Sequence, residues 1–329
     1  MKQIRILPLI NNDYNIEWLY QLFLLDKEKY EIVVDYEDPQ YVLVVISHVI
    51  YRNALLYKQL QNIYSEDRII IFLGDEAISP DMNLFDYAIT YDDELFMRDR
   101  ICRRPTVLWM RGGDKICKKN HLEYAEAEQK YDTRKFCSFI YSNAKANTHR
   151  ASIFYGLNSY QNVDALGKYL HNCDIEITRN EKNWFELSIE QKENYRFSIA
   201  AENSFFRGYT SEKIISSFLA HSIPIYWGNP NIEKEFNPKA FINCHNYKDL
   251  NEVIEKVKTI NEDKALWSYI VTQPWQTDEQ ISLQNEQINN YRSFTDHIFA
   301  QDIKDAKRIY QGTAVWNYID FWMNKTVGM

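Results

Sequence analysis

The chain has 329 residues, which is more than one compact core usually holds, so we expect two domains. Hydrophobic residues make up 45% and charged residues 26% of the sequence, and these proportions exclude an intrinsically disordered protein. The formal net charge of −8 and the pI of about 5.5 argue against a nucleic-acid partner, because proteins that bind DNA or RNA duplexes carry a dense basic face.

The start of the chain and the cysteines indicate a compartment. MKQIRILPLI (1–10) is apolar but short, so it predicts a first strand rather than a signal peptide. We find no run of about 18 apolar residues that would span a membrane. The cysteines are scattered without a Cys-x-x-Cys pair, which argues against a disulfide framework or a zinc site. We therefore expect a cytoplasmic protein.

The first part of the chain alternates strand-like and helix-like runs. Two continuous apolar runs, YVLVVIS (41–47) and RIIIFLG (68–74), are typical of strands buried on both faces of a parallel sheet. IEWLYQLFLLDKEKY (16–30) and ALLYKQLQNIY (54–64) have helical spacing, and LFDYAITYD (84–92) reads as a further short strand. This alternation predicts an α/β sheet with helices on both faces.

A polar, glycine-punctuated segment, 111–134, separates this series from a second one and is interpreted as an interdomain connection. Strand and helix patterns alternate again after it, and the end of the chain is helical in pattern. We therefore predict two Rossmann-like domains facing across a cleft, with C-terminal helices that pack back on the first domain. The predicted bounds are 1–130 for the first domain, 131–275 for the second and 276–329 for the C-terminal helices.

The stretch AENSFFRGYTSEK (201–213) places polar and charged groups where a helix is predicted to begin. Gly208 frees the backbone, and either Thr210 or Ser211 can cap the helix. A helix start attracts anions, and Lys213 adds to that field. The alternative is that the charged residues only decorate a first turn. By itself this pattern indicates a nucleotide or another anion, because nucleotides bind where strands of open α/β sheets lead into helices.

Segment 197–243 closely resembles the donor-binding signature of the α-1,3/4-fucosyltransferase family, in its bacterial form. The family shares a run of the type E-N, G-Y-x-S/T-E-K, then P-I/V-Y-W/Y-G, and an F-x-P step. The matching residues follow in the same order and are Glu202, Asn203, Gly208, Tyr209, Glu212, Lys213, Pro224, Tyr226, Gly228, Pro238 and Phe241.

This resemblance implies a GT-B fold and an inverting transfer of fucose from GDP-fucose to a hydroxyl group of a sugar acceptor. The family's common acceptor is of the N-acetyllactosamine type, with a GlcNAc-type hydroxyl as the site of transfer, and the products are Lewis-type glycans. No divalent metal is required by such a site, although one could stimulate it. Two alternatives stay open: another GT-B transferase that uses a nucleotide sugar, and a non-catalytic relative that binds nucleotide or carbohydrate.

The resemblance also implies a catalytic base in the first domain. Segment 69–92 is similar to the family segment in which a glutamate after a strand serves as the general base. The order of residues around Pro80 and Asp81 assigns this role to Glu76, with Asp75 as the second choice. The alternative for this acid pair is that it caps the turn after the strand.

The resemblance gives the donor-binding residues individual roles. Arg150 matches the family arginine that binds the donor diphosphate. Lys213 is then expected to bind phosphate and Glu212 the ribose. Tyr209 is expected to contact the diphosphate or the fucose. The residues expected to line the fucose side are Glu202 and Asn203.

The aromatic tail IYQGTAVWNYIDFWMNK (309–325) allows two interpretations. It could lie on the inner membrane surface as a peripheral contact, since bacterial members of the family act on lipid-linked glycans. It could instead pack against the first domain. We favour packing.

Overall fold

The computed structural model describes residues 1–9, 15–46, 60, 62–116, 120, 122–146, 148–178 and 183–309. The chain divides into two compact units. The first comprises Met1–Pro105 and Asn285–Met329, and the second Thr106–Gln284. The first boundary therefore lies before the segment that the sequence analysis took as the connection.

Both units are built on parallel sheets, so the predicted α/β class is confirmed. The first sheet has the order β2-β1-β3-β4-β5-β6 and the second the order β11-β10-β9-β7-β8. In the described part of the chain the strands are β1 Lys2–Leu9, β2 Tyr30–Val34, β3 Tyr41–Ile46, β4 Ile69–Gly74, β5 Tyr87–Thr90, β6 Ile101–Arg103, β7 Lys135–Phe139, β8 Val163–Ala165, β9 Tyr195–Ala201, β10 Ile223–Trp227 and β11 Ile242–Asn243.

Helices connect these strands, as parallel pairing requires. Within the same described residues the α-helices are α1 Ile16–Phe23, α2 Thr106–Trp109, α3 Gly113–Ile116, α4 Tyr124–Thr133, α5 His149–Asn158, α6 Trp184–Lys192, α7 Glu212–Leu219, α8 Leu250–Glu262, α9 Lys264–Val271, α10 Asp278–Ala300 and α11 Ile303–Ala306. The helix predicted over 54–64 lies mostly outside the described residues.

The first unit is held by the sheet and by the C-terminal half of α10. Every residue of β3 and β4 is buried, as their continuous apolar runs predict. From α10, the hydroxyl groups of Tyr291 and Thr295 donate to the backbone carbonyls of Leu22 and Phe23 at 2.7 and 2.6 Å. Phe299 packs edge-on against Phe23. These contacts bring residues distant in sequence into the first unit.

The aromatic tail after Ile309 lies outside the described residues, so both interpretations of it stay predictions.

The segment interpreted as a connection begins with helices that pack within the second unit. Ile116 at the end of α3 is buried in a core cluster with Phe185 and Ile214. Gly112 has a φ of +78°, and a Cβ atom there would lie 2.8 Å from Leu219 Cδ1. Gly112 therefore permits a tight turn and a close approach to Leu219. From the sequence, the glycines of this segment were interpreted as the sign of a linker.

The second sheet brings three chain segments to one edge. In a parallel sheet the carboxyl ends of all strands meet at the same edge. Here β7 leads into residues 140–143, β9 leads into Glu202, and β10 leads into Gly228. This edge is where the candidate site is found.

Candidate functional site

Arg150 lies in the first turn of α5 and is almost fully buried, with 2% of its surface exposed. Its Nη2 atom donates to Asn203 Oδ1 at 2.6 Å and to the carbonyl of Ala201 at 3.3 Å. Its guanidinium group lies over the ring of Tyr141, 4.0 Å from the centroid. These hydrogen bonds and the stacking on Tyr141 fix the orientation of the guanidinium group.

Glu202 begins the loop after β9 and has no exposed surface. Its Oε1 atom accepts from the backbone N–H of Ser211 at 2.8 Å, and its Oε2 atom accepts from the Ser211 hydroxyl at 2.7 Å. Lys213 Nζ donates to the same Oε2 atom at 3.0 Å. A charged group buried in a protein is tolerated when it is paired and hydrogen-bonded, and this carboxylate meets both conditions. It ties the first turn of α7 to the end of β9.

This pairing has an electrostatic consequence for Lys213. Burial by itself lowers the pKa of its ammonium group, but the carboxylates of Glu202 and Glu212 raise it, and the net effect is a pKa above the usual value. The Oε1 atom of Glu212 lies 3.9 Å from Lys213 Nζ. Lys213 therefore stays positively charged although it is half-buried.

Ser211 occupies the N-cap position of α7, as one of the two predicted capping residues. Its side chain makes no capping hydrogen bond, because its hydroxyl donates to Glu202 instead. The hydroxyl of Thr210, the other candidate, donates to Glu235 at 3.2 Å. The predicted helix start is correct, but capping by a hydroxyl side chain is wrong, because the two hydroxyl groups donate to the carboxylates of Glu202 and Glu235 instead.

Two glycines shape the surrounding loops. Gly208 has a φ of +71°, and its N–H donates to Asn229 Oδ1 at 2.8 Å. Gly228 has a φ of +152°, and a Cβ atom there would lie 2.4 Å from Glu202 Cγ. Gly208 supplies a left-handed backbone conformation, and Gly228 leaves the space that Glu202 occupies.

An open cavity adjoins these residues. Its lining carries the positively charged groups of Arg150, Lys192 and Lys213, the carboxylate of Glu212 and the amide of Asn203. Backbone and side chains of residues 140–143 also line it. Cations that outnumber the carboxylate favour an anionic ligand, while Glu212 can accept hydrogen bonds from hydroxyl groups.

The structure places the predicted donor-binding residues at different depths. Arg150, Asn203, Glu212 and Lys213 line the one cavity. Glu202, which was expected beside Asn203 on the ligand side, has no exposed surface and holds Lys213 in place. It is a positioning residue in this arrangement. The predicted loop residues that are not part of the cavity lining are Gly208 and Tyr209, and Tyr209 is buried.

Lys192 was missed by the sequence analysis, although it lines the cavity. It ends α6, where Phe185, Ser188 and Lys192 are the buried residues. The spacing of these residues, i, i+3 and i+7, is that of one helix face. The apolar residues of this helix do not concentrate on one face, so the sequence carried no clear signal for Lys192.

The predicted base candidates follow β4 in the first unit. Asp75 is exposed, and its Oδ1 atom lies 4.0 Å from Nη1 of Arg104. Arg104 is buried over the ring of Tyr91, 5.4 Å from the centroid. Glu76 is half-buried, and its backbone carbonyl accepts from the N–H of Ile78 at 2.8 Å. Asp75 therefore has a cationic partner, Arg104, within the first unit.

In the described ranges no group of three or more His, Cys, Asp or Glu side chains is arranged to hold a metal ion. Within those same ranges no helix combines the length and the apolar character needed to cross a bilayer.

Comparisons with known proteins place this site in a family context. The family model described as glycosyltransferase family 10 (fucosyltransferase), C-term, matches residues 130–315, more than half of the chain. The sequence is 33% identical over 223 residues to an alpha-(1,3)-fucosyltransferase, FucT, of Helicobacter pylori, covering 59% of this chain and 44% of that protein. It is 24% identical over 170 residues to alpha-(1,3)-fucosyltransferase B of Drosophila melanogaster, covering 50% of this chain and 38% of that protein. The chain thus spans less than half the length of these curated relatives.

Solved structures show the same fold. A crystal structure of an alpha1,3-fucosyltransferase with GDP-fucose is similar with a TM-score of 0.64 and 22% identity, over 89% of this chain and 91% of that one. The corresponding structure with GDP gives the same TM-score at 23% identity. At this level of identity the likeness establishes the fold.

Proposed function

The chain belongs to glycosyltransferase family 10, the fucosyltransferases, and we propose that it transfers fucose from GDP-fucose to a hydroxyl group of a sugar acceptor. The observation that carries the proposal is the cavity of the second unit, where Arg150 and Lys213 supply positive charge beside the carboxylate of Glu212. The similar alpha1,3-fucosyltransferase structures with GDP and with GDP-fucose support this choice of donor.

In this proposal the second unit binds the donor and stabilises the departing nucleotide. Arg150 and Lys213 face the diphosphate, whose negative charge grows as the bond to fucose breaks. Preorganised charges of opposite sign lower the barrier of such a step, because they need no reorganisation during the reaction. Hydrogen bonds and stacking hold Arg150 in place, and Glu202 holds Lys213 in place. Glu212 accepts hydrogen bonds from the ribose, and Asn203 contacts the fucose side.

The first unit supplies the base. An inverting displacement needs a carboxylate that takes the proton of the attacking hydroxyl group, with the leaving group on the opposite face of the sugar. We assign this role to Glu76, on the order of residues around Pro80 and Asp81. The acceptor is of the N-acetyllactosamine type and the linkage α-1,3, giving a Lewis-type glycan. No divalent metal takes part in this scheme.

The proposed location rests on the sequence alone. The composition predicts a cytoplasmic protein, and the aromatic tail offers a peripheral contact with the membrane surface. Fractionation of cells producing the tagged chain, with a high-salt wash of the membrane fraction, tests both. Recovery of the chain only in the membrane fraction, even after the high-salt wash, would contradict both the cytoplasmic location and the peripheral contact.

One experiment tests the activity. The protein is incubated with GDP-fucose and a panel of N-acetyllactosamine-type and Lewis-precursor glycans, and the products are analysed by mass spectrometry. We expect one fucose to be added to at least one glycan, with inverted anomeric configuration by NMR. GDP-mannose and UDP-sugars serve as alternative donors. Transfer from one of these instead would assign a different nucleotide-sugar transferase, and binding of GDP without any transfer would assign a non-catalytic relative.

A further inference from the structure

Lys192 is buried in the cavity lining in an unusual chemical setting. Only 5% of its surface is exposed, and its Nζ atom donates to the hydroxyl groups of Ser216 and Ser217 at 2.6 and 3.2 Å and to the carbonyl of Lys213 at 3.3 Å. These acceptors match the number of protons on an ammonium group, and all of them are uncharged. The structure thus holds a buried lysine with neutral oxygens.

The two serines are arranged to accept from Lys192. The hydroxyl groups of Ser216 and Ser217 donate to the carbonyl of Lys213 at 3.1 and 2.9 Å. Their protons are therefore directed to that carbonyl, and their lone pairs remain for the ammonium group. Through this arrangement Lys192 is attached to the turn of α7 that carries Glu212 and Lys213.

The charges that face Lys192 make its protonation sensitive to a ligand. Burial lowers the pKa of Lys192 to about 7, the nearby Glu212 opposes this effect, and Lys213 adds to it. The other cation of the cavity lining is Arg150. Near neutral pH a change in the surrounding charge therefore shifts the protonation of Lys192. An anion placed among these groups favours the charged form.

We propose that Lys192 is a further donor-binding residue, whose ammonium group adds to the positive charge that meets the anionic nucleotide in this cavity. The inference deepens the proposed function, since the nucleotide is taken to be GDP. Binding and protonation are then linked in both directions. The nucleotide promotes uptake of a proton by Lys192, and a protonated Lys192 strengthens binding.

The linkage predicts how the affinity for GDP changes with pH. Below pH 7 Lys192 is already charged in the free protein, so binding requires no proton there. Above pH 7 binding must supply the proton, so the affinity falls as the pH rises. We expect the Kd for GDP to increase by up to about tenfold per pH unit above pH 7, until the pH reaches the raised pKa of the complex. Lys213 stays charged over this range, because its pKa is raised.

Isothermal titration calorimetry with GDP at pH 8, in buffers of different ionisation enthalpy, measures the proton uptake directly. The second ionisation of a phosphate monoester has a pKa of about 6, so at pH 8 a terminal phosphate contributes little. We expect the wild-type protein to take up most of one proton. Binding of GDP by the wild type without proton uptake at pH 8 would overturn the inference.

Two variants assign the proton to this residue. In Lys192→Met the uptake should be lost, the Kd should vary little between pH 7 and 8.5, and binding at pH 7 should be weaker. Lys192→Arg keeps a permanent charge, so it should restore binding at pH 7 without proton uptake. The matched control is Lys258→Met, which removes a lysine paired with Glu255 on the surface of α8 and should behave as the wild type.

The outcomes separate this inference from the proposed function. If the wild type binds GDP with proton uptake and Lys192→Met retains the same uptake, another group takes the proton and the inference is wrong. If the wild type does not bind GDP at any pH, the proposed function fails instead. If Lys192→Met does not fold, absence of proton uptake in the wild type still overturns the inference, and Lys192→Arg still tests whether Lys192 takes the proton.

Discussion

The ammonium group of Lys213 donates to the carboxylate of Glu202 at 3.0 Å, and that carboxylate has no exposed surface. The pair joins the end of β9 to the first turn of α7, two segments that surround the candidate donor cavity. An acid within a recognisable donor motif therefore acts on the protein and not on the ligand. The negative charge of Glu202 keeps the ammonium group of Lys213 ionised where a diphosphate is proposed to bind.

Glu202→Gln should destabilise the protein, because it leaves the half-buried Lys213 with only the more distant carboxylate of Glu212. Breaking a buried ion pair by removing one member costs about 3–5 kcal/mol, and we expect the free energy of unfolding to fall by about 3 kcal/mol because glutamine still accepts hydrogen bonds. Urea denaturation followed by circular dichroism measures the change. Glu255→Gln breaks the exposed pair with Lys258 and should cost less than about 1 kcal/mol. Equal effects of the two substitutions would contradict a structural role for the buried pair.

Arg150→Lys should weaken GDP binding although it keeps the charge. Lysine cannot reproduce both the hydrogen bonds to Asn203 and Ala201 and the stacking on Tyr141. We expect the Kd for GDP to rise by about tenfold or more, equivalent to about 1.4 kcal/mol, as measured by calorimetry. The control is Arg292→Lys on α10, where the arginine is exposed. An unchanged Kd in Arg150→Lys would show that charge alone is needed at this position.

Glu76→Ala should reduce kcat and leave GDP binding intact, because the base acts on the acceptor and not on the nucleotide. General-base catalysis contributes about 10²- to 10⁴-fold, so we expect a loss of at least about 100-fold at saturating substrate. Asp75→Ala is the matched comparison, since it removes the neighbouring acid that lies 4.0 Å from Arg104, and it should retain most of the activity. The reverse pattern would assign the base to Asp75.

Gly228→Ala should disturb Glu202 directly. The new Cβ atom would lie 2.4 Å from Glu202 Cγ and 2.6 Å from its Cβ, and the φ of +152° is unfavourable for alanine. We expect a loss of about 2 kcal/mol or more in the free energy of unfolding, together with weaker GDP binding. Gly156→Ala is the comparison, because its new Cβ atom would clash with the flexible end of Ile254 and make only ordinary contact with Leu250, and alanine favours the helix. Similar stabilities of the two variants would contradict this explanation.

Local sequence patterns were enough to predict much of the fold. The apolar runs of β3 and β4 predicted strands buried on both faces, and the structure has them as neighbours in a parallel sheet. The start of α7 at Glu212 was predicted within a residue or two. These predictions succeeded because strand and helix formation depend on residues close together in the sequence. The interpretation of the polar segment from residue 111 as a linker was wrong, because Gly112 packs closely against α6 and α7. Local composition does not reveal such packing.

The sequence by itself determined four of the groups that line the cavity, since Arg150, Asn203, Glu212 and Lys213 were identified by their match to the family motif. Only the tertiary structure decided which of the groups reach the cavity and which support them. Burial and pairing depend on which strand ends lie side by side, and strands distant in sequence set that arrangement. For this reason Glu202, which was predicted on the ligand side, lies in the interior. Lys192, on a helix without a recognised motif, lines the cavity.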